Sequence, residues 1–124
     1  MGIIDLSDRE FDHLDEVRSF LEEEAGGVAT FRSWQLRDAI GYSRLGSNVV
    51  SEISEELDRR GIGHVPAKLG LNQYDEARLY LRSSPIGKFL DMASKPGYSG
   101  DAELRNALSD GSREILEKIK RMLN

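Results

Sequence analysis

Three amphipathic helical patterns in this chain each run into a glycine, and that punctuation limits the fold more than any other feature. The first pattern places Phe11, Leu14, Val17, Phe20 and Leu21 at spacings of three and four before Gly26-Gly27. Ser7-Asp8-Arg9-Glu10 ahead of it has the form of a capping box, so the spacing predicts a helix opening there. The second covers Arg32 to Ile40, with Leu36, Ala39 and Ile40 inward, and stops at Gly41. Its Trp34, the one Trp of the chain, reads as a core or edge anchor rather than a binding aromatic. The third has Val49, Val50, Ile53 and Leu57 on one side and Glu52, Glu55, Glu56 and Asp58 on the other, and stops at Gly61. Ser47 or Asn48 suits its N-cap, and Arg59 and Arg60 suit the negative end of its dipole. Short helices closed by glycine pack around one core, and 124 residues suffice for one.

The pattern then changes period. Ile62-Gly63-His64-Val65-Pro66 is a short apolar run closed by proline, as on an edge strand. In residues 77–82, Ala77, Leu79 and Leu81 alternate with Arg78, Tyr80 and Arg82, which is the period of a strand. The polar loop between them makes the pair a β-hairpin. Ser84 and Pro85 open a further helix with Ile86, Phe89, Leu90 and Ala93 inward. Lys95–Gly100 is the clearest break, and an amphipathic stretch from Ala102 to Leu123, interrupted at Asp110-Gly111-Ser112, completes the chain. The expected class is mainly α with a small β-hairpin (α+β), divided into a domain over 1–95 and a linker with C-terminal helix over 96–124.

Charge and composition narrow the function. The net charge is −5, yet residues 1–24 alone carry −7, so the remainder is mildly basic at +2. The acidic run reads as a solvated helix face, and the rest permits a nucleic-acid surface. There is no Cys, which excludes disulfides, thiol nucleophiles and Cys-based zinc sites. His13 and His64 have no metal-ligand spacing, and Gly61-Ile62-Gly63 follows a helix and lacks the third glycine of a dinucleotide loop. No Gly-Lys-Ser or Gly-Lys-Thr phosphate loop occurs, and neither Ser47 nor Ser51 has a His nearby in sequence. We expect no enzyme, no cofactor, no metal, no small-molecule substrate and no membrane partner. With neither a secretory opening nor a Ser or Thr at position 6 for myristoylation, the expected location is cytoplasmic.

Leu36-Arg37-Asp38-Ala39-Ile40-Gly41-Tyr42-Ser43 resembles the Leu-x-x-Ala-Leu-Gly-x-Ser helix and turn of the winged helix-turn-helix family, and the run from Val50 through Leu57 to Gly61-Ile62 is similar to that family's third helix. The likeness covers about residues 7–94. It departs in a longer turn between Ile40 and Val50 and in the acidic exposed side of the third helix. The resemblance implies a winged helix-turn-helix with an extra C-terminal helix, binding double-stranded DNA as a small bacterial or phage transcriptional regulator. The helix near 47–60 would enter the major groove and the 62–82 hairpin would be the wing. At the helix tip, Ser43, Arg44, Ser47, Asn48 and Ser51 have suitable chemistry: Arg bonds guanine, Asn bonds adenine, Ser reaches bases or phosphates. On the wing, Lys68, Asn72, Gln73, Arg78 and Arg82 are candidates for backbone contacts. The plainer reading is that Arg78 and Arg82 solubilise an edge strand and Lys68 is an ordinary loop lysine. The family also serves as a protein–protein interaction module without DNA binding, which the acidic faces favour. The C-terminal stretch suits a homodimer interface and equally a helix folded back on its own domain.

Overall fold

The structure, a computed structural model, describes residues 2–107 together with Glu117, Lys120 and Arg121. Among these residues it is an α+β fold of five helices and one three-stranded antiparallel sheet, in the order α1 (Leu14–Glu23), β1 (Val28–Arg32), α2 (Ser33–Ile40), α3 (Ser47–Arg59), β2 (Ile62–Val65), β3 (Glu76–Leu81), α4 (Pro85–Ser94) and α5 (Tyr98–Ala107).

Helix α1 opens at Leu14, with His13 as its N-cap, and not at the Ser7 capping box. Residues 6–9 instead form a turn, in which the Arg9 amide donates to the Leu6 carbonyl at 3.0 Å. The cause lies in α2. Fully buried Gln35 donates its side-chain amide to the carbonyls of Leu6 (2.5 Å) and Arg9 (2.8 Å), drawing this segment onto the core in a non-helical path. Phe11 is buried from that path and meets Phe20 and Phe31, ring centroids 5.9 and 5.4 Å away. The spacing of Phe11 to Leu14 fits a helix and also fits a loop that returns to the same core, so periodicity alone could not separate them.

The hairpin is part of a larger sheet. Strand β1 pairs with β3 from Val28↔Tyr80 to Arg32↔Glu76, β2 pairs with it from Ile62↔Leu81 to Val65↔Arg78, and β3 is therefore central. Gly26 (φ +63°) and Gly27 (φ +95°) make this strand by reversing the chain after α1 in a conformation L side chains rarely adopt. The Gly27 carbonyl then accepts from the Leu81 amide at 2.9 Å. Helix α2 starts one residue after β1 ends. Helix α3 starts at Ser47 with Gly46 as its N-cap, so neither Ser47 nor Asn48 caps it and both side chains stay exposed.

One face of the sheet packs on α1, α2 and α3. There Phe31, Ile62 and Leu79 are fully buried with Val17, Leu21, Leu36, Ile53 and Leu57. The other face lies under α4: Tyr80 and Leu90 are buried, with Val28, Val65, Ile86 and Phe89 packed against them. A Cβ on Gly63 would sit 2.4 Å from the Tyr80 ring, so glycine is what lets that ring lie across β2. Ser84 caps α4 as the sequence predicts, its Oγ accepting from the Gly87 amide at 2.9 Å. The expected break is shorter than Lys95–Gly100, since Tyr98, Ser99 and Gly100 open α5. The interruption at 110–112, and most of the C-terminal stretch, lie outside the described residues. Among the described residues no helix is long and apolar enough to cross a membrane.

Candidate nucleic-acid interface

The ten residues singled out from the sequence fall into three places. The first is the beginning of α3. Ser43 and Arg44 are exposed in the α2–α3 turn, and Ser47, Asn48 and Ser51 are exposed on the first two turns of the helix, opposite buried Val50 and Ile53. Ser47 and Ser51, with Val50 and Ser54, form one wall of a groove of ≈ 470 Å³; the other wall is Ala67, Lys68, Leu69 and Leu71 of the β2–β3 loop. Buried Leu69 anchors that loop in the core and holds Lys68 across from the helix, while Leu71 stays 55% exposed.

The second place is the start of α2. The β2–β3 loop folds back onto it: the Ser33 amide donates to the Asp75 carbonyl at 2.9 Å, the Trp34 amide to the Gln73 carbonyl at 3.0 Å, and the Ser33 hydroxyl to the Gly70 carbonyl at 3.1 Å. Loop carbonyls thus satisfy amides that a helix terminus otherwise leaves unpaired. Asn72 spends its side-chain oxygen on the Tyr74 amide at 2.8 Å, closing its own turn. Asn72 and Gln73 therefore shape the loop end beside α2, where Arg32 lies 6.0 Å from the Tyr74 ring centroid.

The third place is the sheet face under α4. Arg78 stands there half-buried, aligned with Thr30 and Val65 on the flanking strands. Just past β3, Arg82 is tied to Asp58 of α3, and its Nε lies 3.5 Å from Asp91 of α4. Both arginines are on the opposite side of the sheet from the groove.

The later turns of α3 differ from the first. Glu56 is bound by Arg59 and by Arg60, the latter at 2.8 Å. Arg60 also reaches Asp15 of α1 at 2.8 Å, and its carbonyl accepts from Arg18. The hydrogen bond from Arg60 holds the Glu56 carboxyl below its ordinary range, and that from Arg82 does the same to Asp58. The half-buried Glu52 carboxylate beside the Tyr42 hydroxyl pushes that phenol up. Two of the acids of α3, Glu56 and Asp58, are thus engaged within the chain. Two further exposed side chains lie here, Tyr42 in the α2–α3 turn and Leu71 on the groove wall. The sequence signal for Leu71 is a bare aliphatic between Gly70 and Asn72 in a polar loop.

His64 is held by neighbours on both ring nitrogens, Nδ1 2.7 Å from the Pro66 carbonyl and Nε2 3.2 Å from Ser54 Oγ. His13 is exposed at the α1 cap, and no group of three or more His, Asp or Glu suited to a metal ion occurs among the described residues. Comparison with known proteins gives no match: no family model, no curated protein and no solved structure aligns significantly with the chain.

Proposed function

We propose that the chain is a sequence-specific DNA-binding protein of winged helix-turn-helix type, a small transcriptional regulator that docks the beginning of α3 in the major groove. One observation carries this reading: the first two turns of α3 expose Ser47, Asn48 and Ser51 beside a groove shared with Lys68, while Glu56 and Asp58 later in the helix are bound by the chain's own arginines. Three helices followed by the β2–β3 hairpin support the winged-helix part of it. Asn and Ser at a helix tip suit base edges, and Arg44 in the preceding turn suits guanine or a phosphate. The wing of this reading is the segment around Lys68; Asn72 and Gln73 support it only indirectly, by fixing the loop on α2.

The test is fluorescence anisotropy of a random-core duplex library, enriched on the protein at low salt. Enrichment of one site, lost in Arg44→Ala with Asn48→Ala while the melting temperature holds, is the expected result. No enrichment from the library ends the DNA reading. A protein partner is then the second reading, favoured by the outward acids Asp12, Glu16 and Glu23 around α1. A pull-down lost on their neutralisation would support it.

A further inference from the structure

The interface proposed above is unusually poor in charge for a surface that meets DNA, and the cause is visible in the ion pairs. Of the arginines within reach of α3, Arg59 and Arg60 bind Glu56, Arg60 also binds Asp15, and Arg82 binds Asp58 and Asp91. Arg37 on α2 pairs with neighbouring Asp38 at 2.9 Å. On the groove side this leaves Arg44 and Lys68, both exposed, as the cations outside any such pair among the described residues. Around them the surface is neutral and hydrogen-bonding (Ser47, Asn48, Ser51) or apolar (Leu71). Behind them the chain is acidic, with −5 overall and −7 in residues 1–24.

Resting on the DNA reading, we propose that this surface is a charge-poor reader of duplex DNA. Each chain neutralises about two phosphates, through Arg44 and Lys68, and gains the rest of its affinity from contacts that depend on the base sequence. Non-specific DNA affinity comes almost wholly from phosphate neutralisation, which releases counterions and makes binding fall with salt at a log–log slope near −0.9 per phosphate. Two phosphates give a slope of about −1.8 per bound chain, or roughly a 12-fold loss of affinity between 50 and 200 mM salt; a reader with six to ten contacts loses about 10³–10⁵ over the same range. The acidic remainder repels the duplex at distances beyond contact, so electrostatic capture of random DNA is weak as well. The ligand is therefore a duplex carrying the recognised bases, with little tolerance for substitutes.

The experiment takes the full chain and the duplex enriched from the random-core library. Affinity is followed by anisotropy across salt, and the number of chains bound by sedimentation. The expected slope is about −2 per chain, with Arg44→Gln and Lys68→Gln each making it shallower by about 0.9 and neither changing the melting temperature. The unselected library should fail to bind at ~150 mM salt. A slope of −4 or steeper per chain, or tight binding of the unselected library, overturns the inference and leaves the DNA reading standing. In that case Arg32, Arg78 or other cations also meet phosphate. Slopes that neither variant alters overturn it too. Failure to enrich any duplex at low salt removes the DNA reading itself, and the inference with it.

Discussion

The two ends of α3 are built for different work. Its first two turns expose hydroxyl and amide groups beside a groove, and its last two turns are tied to the rest of the chain. In the latter, Arg60 joins Glu56 to Asp15 of α1, and Asp58 meets Arg82 past β3. One amphipathic stripe, Val50, Ile53 and Leu57, seats both ends on the same core. The comparison teaches that a run of acids along a helix need not describe the surface a partner meets. Glu56 and Asp58 are internal counter-ions, and the exposed groups of the first turns are the hydroxyls and amide of Ser47, Asn48 and Ser51.

Substitutions can break this contrast at either end, and the core beneath it should respond most. Leu57→Ala empties a fully buried position and should cost about 2–5 kcal/mol of stability in urea unfolding. Next is Arg60→Ala, which removes the link between Glu56 and Asp15 but leaves Glu56 its pair with Arg59, and should lower the melting temperature by a few degrees while leaving duplex affinity unchanged. If Arg60→Ala instead raises duplex affinity, the late turns also approach DNA and the division of the helix fails.

A pH titration sharpens the same point. The Glu56 and Asp58 carboxyls are lowered in the fold by their arginines, so the stability they confer is fully present above their ordinary values of 4.5 and 3.8. It is lost as pH falls through the depressed folded values. The melting temperature should therefore hold between neutral pH and about 5 and drop below that, with a smaller drop in Glu56→Gln. The least effect on folding is expected from Asn48→Ala, within about 0.5 kcal/mol, because the side chain is exposed. Its consequence should appear in discrimination between duplexes, at about 1–3 kcal/mol for the contacted base.

What could be read from the sequence was whatever depends on neighbours in the chain. Helices α2, α3 and α4, the Ser84 cap and the alternation of β3 follow from spacing and from residues that stop or start helices. The failures come from partners distant in sequence. The Ser7 capping box is locally sound, but Gln35 takes the carbonyls of Leu6 and Arg9 and the box never forms. Strand β1 offers only Ala29 and Phe31 as inward residues in five, too few to mark a strand without knowing that β3 lies beside it. Arg82 was legible as a strand-end cation; its ties to Asp58 and Asp91 depend on α3 and α4 meeting around the sheet. Lys68 and Ser51 could each be named as candidates, while the groove that joins them arises only because Leu69 carries the loop back to the core.

Amide chemical-shift mapping of the labelled chain against the enriched duplex tests the division of α3 most directly. The account predicts shifts concentrated at residues 43–51 and 67–71, with α1 and the late turns of α3 quiet. Shifts centred on the α1 acids, on the α4 face around Arg82, or spread along the whole of α3 would contradict it.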